Sequence, residues 1–184
     1  VVDRRKQMTG IELVGIDADD TLWQSETFFA EVEEKFTELM SKYSSDTSLE
    51  ESLSSNEISN LRVFGYGVKS FTLSMIETAH LASGGNIASS DIKQIISWGK
   101  ELLQHPVILL DGVEEAIREL ASNFTVYIVT KGDLLHQRSK IEDSGLDKLV
   151  AGFDIFHEKD PESYLDFLTE KNVDPKNFLM AGNS

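Results

Sequence analysis

The chain has 184 residues, 40% hydrophobic and 27% charged, enough apolar material for a packed core and far from the composition of a disordered segment. Its 32 acidic residues outnumber 17 basic ones, giving a formal charge of −15, so its surface repels nucleic acid and anionic lipid and neither is expected as a partner. The absence of cysteine excludes disulfides, thiolate metal sites and cysteine nucleophiles.

The chain opens on basic Arg4, Arg5 and Lys6, and the apolar run that follows stops at Asp17, too short for a signal-peptide core. Charges interrupt every later hydrophobic run before it reaches bilayer length, so a soluble, cytoplasmic protein is expected. Ile11 to Ile16 reads as a buried strand. From Trp23 to Ile108 the pattern is helical, with no convincing strand. Phe28, Phe29, Val32, Phe36, Leu39 and Met40 form one stripe; Val68, Phe71, Thr72, Met75, Ile76 and Ala79 a second; Ile92, Ile95, Ile96 and Leu103 a third. Between the first two, Ser41 to Asn60 is rich in serine and acid and is expected to be an exposed loop or a frayed helix end. Gly65 and Gly67 around Tyr66 give local flexibility near Lys69.

Beyond this insertion the pattern alternates. Val113, Ala116, Ile117, Leu120 and Ala121 mark a helix, with Asp111 and Glu114 read as a capping box at its start. Phe124 to Val129 is a strand, a helix runs from Asp133 to near Gly145, and Phe153 to Phe156 is the next strand. Asp160 and Pro161 then start a further helix before the last buried strand, Phe178 to Ala181. Strand, helix, strand, helix, strand predicts one parallel sheet covered by helices. The expected fold is therefore α/β, a Rossmann-like parallel core of residues 1–22 and 109–184 with an all-helical domain inserted at 23–108.

In such a sheet the ligand site lies beyond the carboxyl ends of the strands. Those ends read Asp17-Ala18-Asp19-Asp20-Thr21, Thr130-Lys131-Gly132, His157-Glu158-Lys159-Asp160 and Gly182-Asn183-Ser184. Any one of them has a turn or helix-capping explanation, and Asp20, His157 and Asp160 are left to that reading. Together they would gather two carboxylates, a hydroxyl and an ammonium at one rim.

Asp17-Ala18-Asp19-Asp20-Thr21-Leu22 resembles the first motif of the haloacid dehalogenase-like hydrolase superfamily. Thr130 is similar to its second motif, Lys159 to its third, and Met180-Ala181-Gly182-Asn183-Ser184 to the start of its fourth. The insertion stands where this family carries a helical cap domain of the C1 type. The resemblance implies that Asp17 is a nucleophile forming an aspartyl-phosphate, and that Asp19 is the acid and then the base. It also implies that Mg²⁺ is held by the Asp17 side chain and the Asp19 backbone carbonyl. Thr130, Lys131 and Lys159 are the expected phosphate-binding set, with Lys69 a further candidate for a second anionic group on the substrate. Asn183 follows Gly182 where the family supplies a carboxylate, so a third acidic metal ligand is expected beyond Ser184, in a longer natural chain.

The implied activity is that of a magnesium-dependent phosphatase acting on a small phosphorylated metabolite. Asp19 favours phosphate chemistry over dehalogenation, because a departing halide needs no proton. A phosphomutase or phosphotransferase would use the same residues. The rival outside enzymology is a receiver-like or phosphate-binding regulatory module, against which the long helical insertion argues.

Overall fold

The computed structural model describes residues 10–44 and 48–183. Arg4, Arg5, Lys6 and Ser184 lie outside the described residues. The chain divides into two compact units, Val1–Gln24 with Val107–Ser184, and Ser25–Pro106. No described helix is long and apolar enough to cross a membrane.

The first unit is a parallel sheet of β1 (Leu13–Ile16), β2 (Thr125–Lys131), β3 (Gly152–Phe156) and β4 (Phe178–Ala181), in the order β3-β2-β1-β4. All three pairings are parallel, with Ile16 in register with Ile128 on one side and Ala181 on the other. Every residue of β1 is buried, as expected of a central strand covered on both faces. Alternate β1 residues feed two cores. Val14 and Ile16 join Ile117 of α5 (Val113–Ala121) and Ile141 of α6 (Leu134–Ser144), whereas Leu13 joins Phe167 and Leu168 of α7 (Pro161–Lys171). The fold is thus the expected α/β arrangement of a parallel sheet with helices on both faces.

Three local readings change. Gly112, in a left-handed conformation, occupies the N-cap of α5, so Asp111 is not its cap and no side chain caps that end. The expected caps of α6 and α7 do form: Asp133 accepts from the His136 amide at 3.0 Å, and Asp160 accepts from the Ser163 amide at 2.8 Å. β4, read as buried, is half-buried, with Leu179 40% exposed, because among the described residues β1 is its one strand partner. β2 runs on through Lys131, so Thr130 lies within the strand rather than after it.

The second unit contains α1 (Glu26–Met40), α2 (Leu49–Phe64), α3 (Val68–Ala82) and α4 (Ser89–Leu103). Val32, Phe36 and Met40 of α1 and Phe71, Met75 and Ala79 of α3 are buried in one apolar cluster, following the first two stripes. The third stripe is rotated. Ile95, Trp98, Gly99 and Leu102 face inward, and Ile96 is 39% exposed. Most of the expected loop is helical too, since α2 starts at Leu49. Its apolar stripe is faint because only Leu53 and Asn60 are buried, and Asn56 and Asn60 hydrogen-bond to Thr78, Ser74 and Glu77 of α3. A polar helix interface leaves no 3.6-residue hydrophobic signal to read.

Candidate active site

The chain steps outward from β1 to β2 and β3, then returns to β4 on the other side of β1. The strand order reverses at this point, and the crevice beyond the carboxyl ends of β1 and β4 is where an open parallel sheet binds ligand. Asp17 is the first residue past β1. Its amide donates to the Ala181 carbonyl at 2.9 Å, continuing the ladder for one more residue. The residue is buried, and its side chain accepts from the Ala18 amide at 2.7 Å. Gly182 presses against it, and a Cβ there would lie 2.5 Å from the Asp17 Cβ, closer than any side chain can be placed without a backbone shift.

Lys159 reaches Asp17 from the loop between β3 and α7. Its Nζ is 2.6 Å from Asp17 Oδ1, and the two side chains are 9% and 6% exposed. A buried carboxylate without such a partner would be strongly disfavoured, and the Lys159 ammonium offsets that cost at the strand tip. Glu158 fixes the approach by accepting from the Lys159 amide at 2.9 Å and from Lys131 Nζ at 3.0 Å. The Lys131 ammonium is therefore directed to Glu158.

Asp19 sits two residues on, in a turn where Asp20 adopts φ 56° and the Leu22 amide donates to the Ala18 carbonyl at 2.7 Å. Aspartate tolerates this left-handed conformation better than most side chains. Asp19 Oδ1 accepts from the Trp23 indole Nε1 at 2.7 Å and from Lys140 Nζ, and Oδ2 accepts from Gln137 Nε2 at 2.7 Å. Burial by itself would push the carboxyl up, but the Lys140 charge and the Lys140, Gln137 and Trp23 hydrogen bonds outweigh it and hold the group below its ordinary value. Thr130, 2% exposed, joins the cluster through Gln137 Nε2 at 3.5 Å. Thr21 Oγ1 donates to Asn183 Oδ1 and accepts from the Asn183 amide, both at 3.1 Å, which ties the first motif to the fourth.

The structure thus brings Asp17, Asp19, Thr130, Lys131 and Lys159 to one rim of the sheet, while Lys69 lies on α3 of the helical unit. Sequence reading missed Gln137, Lys140 and the Trp23 indole. A faint signal for Gln137 was present: it lies one turn before Ile141, the one apolar residue of α6 that is buried. Lys140 left no such mark.

For a divalent cation, the Asp17 carboxylate and the Asp19 carbonyl are hard oxygen donors of the kind Mg²⁺ takes, and that ion keeps several waters of its own. No group of three or more Asp, Glu, His or Cys side chains able to hold a metal is gathered among the described residues. Those two oxygens would leave the rest of such an ion's shell to water.

A model of the haloacid dehalogenase-like hydrolase family matches residues 11–184. No curated protein matches the chain in sequence. Among solved structures, a haloacid dehalogenase-like family hydrolase from Xanthomonas campestris is 42% identical over 95% of this chain and 75% of that one, with a TM-score of 0.88. YfnB from Bacillus subtilis, a HAD-hydrolase bound to magnesium, is 19% identical over 95% of this chain and 80% of that one, with a TM-score of 0.65. A 2-haloacid dehalogenase from Pseudomonas syringae pv. Tomato DC3000 is 19% identical over 95% and 78%, with a TM-score of 0.62. At such identities the last two show the fold alone. The family match over nearly the whole chain, the 42% identical relative and an aspartate-lysine pair at the switch point of the sheet lead to one conclusion: this chain belongs to the haloacid dehalogenase-like hydrolase family.

Proposed function

We propose that the chain is a magnesium-dependent phosphatase that hydrolyses a small phosphate ester through an aspartyl-phosphate on Asp17. The observation that carries this reading is the buried Asp17–Lys159 pair at the tip of β1, with a second carboxylate, Asp19, two residues on. An Asp17 oxygen forms the new bond to phosphorus as the ester P–O bond breaks. In its protonated form Asp19 gives a proton to the departing alkoxide, and as the carboxylate that the Lys140, Gln137 and Trp23 contacts favour it then takes one from the water that cleaves the aspartyl-phosphate. The Thr130 hydroxyl and the Lys159 ammonium bind phosphoryl oxygens, and the ammonium offsets the charge of a dianion meeting a carboxylate. Mg²⁺, when bound by the Asp17 carboxylate and the Asp19 carbonyl, supplies the remaining positive charge. Asp19 supports phosphate over carbon–halogen chemistry, because halide leaves without a proton. The helical unit is proposed as the cap that selects the substrate, with Lys69 a candidate contact.

The test is turnover of p-nitrophenyl phosphate with Mg²⁺. The unmodified protein is expected to release phosphate, and Asp17→Asn to lose on the order of 10⁴-fold or more in kcat. Phosphate release by Asp17→Asn at the original rate would remove Asp17 from the chemistry.

A further inference from the structure

We propose that Lys140 and Gln137 are positioning residues for proton transfer, clamping the Asp19 carboxylate between helix α6 and the buried Trp23 indole. The inference rests on the reading of Asp19 as acid and base, and it extends the site to residues that none of the family motifs in this sequence contains. Both oxygens of Asp19 are engaged: Oδ1 by Trp23 Nε1 at 2.7 Å and by Lys140 Nζ, Oδ2 by Gln137 Nε2 at 2.7 Å. A carboxylate offers about four acceptor positions on its two oxygens, and three donors occupy them here. Arriving from two directions, they restrict its rotation about χ2, which a proton-transfer group needs in order to meet a leaving oxygen at hydrogen-bond distance.

The donors are themselves held. Trp23 is fully buried, Gln137 is 4% exposed, and the Lys140 side chain is 13% exposed, with its ammonium 5.7 Å from the Trp23 ring centroid. Gln137 Nε2 also donates to the Lys131 carbonyl at 2.9 Å. The reverse amide orientation would face its oxygen toward a carboxylate and a carbonyl, so Nε2 is the atom directed at Asp19, while Gln137 Oε1 is buried without a hydrogen-bond partner. The alignment of α6 is set by the Asp133 cap at its start and by fully buried Ile141 beside Lys140. Gly132, at φ 136°, leaves room for Gln137, since a Cβ there would lie 3.2 Å from its Nε2. The clamp is therefore built on the scaffold, and a misplacement of about 1 Å at such a group can cost on the order of 100-fold in rate.

The decisive measurement is kcat/KM with Mg²⁺ across phosphate esters from p-nitrophenyl phosphate to glycerol phosphate, which reports steps up to formation of the aspartyl-phosphate. Lys140→Met is expected to lose about 10- to 100-fold on the alkyl ester and less on the aryl ester, steepening the leaving-group dependence as Asp19→Asn does. Gln137→Leu should do the same to a smaller degree, and Lys140→Arg should restore part of the loss. The Asp19→Asn/Lys140→Met double variant should be no slower than Asp19→Asn alone, because both changes disable one group. Equal losses on all esters, or losses that multiply in the double variant, would overturn the assignment.

A second readout needs no turnover. The chain has two tryptophans, and the Trp23 indole N–H resonance, assigned through Trp23→Phe, reports its carboxylate partner directly. It should move in Lys140→Met and stay in place in Lys171→Met, a control on α7; an unmoved resonance in folded Lys140→Met sinks the clamp. Should Asp17→Asn remain active, the aspartyl-phosphate reading has failed, and the indole resonance alone then decides whether Lys140 holds Asp19.

Discussion

Both units bury polar side chains, yet of different kinds and in different places. In the helical unit the buried polar residues are neutral: Asn60, Ser70, Ser74 and Thr78, all on α2 and α3. They satisfy one another locally, with Asn60 Nδ2 donating to Ser74 Oγ at 3.0 Å and Ser74 Oγ to the Ser70 carbonyl at 3.0 Å. In the α/β unit the buried polar set is Asp17, Thr130 and Gln137, drawn from three separate elements and gathered at one rim of the sheet. Neutral groups paired within a helix interface cost little and specify packing. A buried carboxylate costs far more unless a cation accompanies it, and Asp17 and Lys159 are buried together at the switch point of the sheet.

That contrast can be broken by experiment. The largest expected effect is at the charged pair: Lys159→Met removes the cation that accompanies the buried Asp17 carboxylate and should destabilise the α/β unit by about 3–5 kcal/mol in urea unfolding. It should also slow phosphatase turnover by about 10²–10³-fold. Combining it with Asp17→Asn should recover part of the stability and none of the activity. An unchanged unfolding midpoint in Lys159→Met would show that the pair is not energetically coupled. Next is Gly182→Ala, whose Cβ would meet that of Asp17 at 2.5 Å. A loss of about 1–3 kcal/mol, with a fall in kcat as Asp17 is displaced, is expected.

In the helical unit the effects should be smaller and confined to stability. Asn60→Leu removes the donor to Ser74 and Glu77 and should cost about 1–2 kcal/mol, while p-nitrophenyl phosphate turnover well below the unfolding midpoint stays unchanged. Abolished turnover in the folded variant would mean that this polar interface serves catalysis after all. Smallest is Glu33→Gln. Burial first, then the charges of Glu50 and Glu26, hold the Glu33 carboxyl above its ordinary value. A carboxyl raised by folding penalises the fold once pH climbs through the unfolded value toward the raised one, so glutamine should relieve that penalty at neutral pH. The gain, on the order of 0.3 kcal/mol for a largely exposed group, should vanish in thermal melts below pH 4.

Much of this was legible in residue order because it is local. Short apolar runs followed by Asp, Thr and Lys announce strand ends, and Asp133, Asp160 and Pro161 announce helix starts, since a strand tip or an N-cap is formed by neighbours in the chain. Where tertiary packing supplies the partner, sequence reading failed. The helical character of most of the stretch from Ser41 to Asn60 was hidden by a polar interface with α3, and the inward face of α4 was turned by about one residue.

By itself the sequence determined the α/β alternation and the helical insertion, because each is written in short segments with their own periodicity, and the resemblance of its strand ends to the family motifs singled out Asp17, Asp19, Thr130 and Lys159. Only the tertiary structure decided that Lys159 meets Asp17, that Lys131 turns to Glu158, and that Asp19 lies among Trp23, Gln137 and Lys140. The physical reason is separation along the chain. Gln137 and Lys140 reach Asp19 across more than a hundred residues, and no periodicity encodes a contact that exists only once the parallel strands have brought their carboxyl ends together.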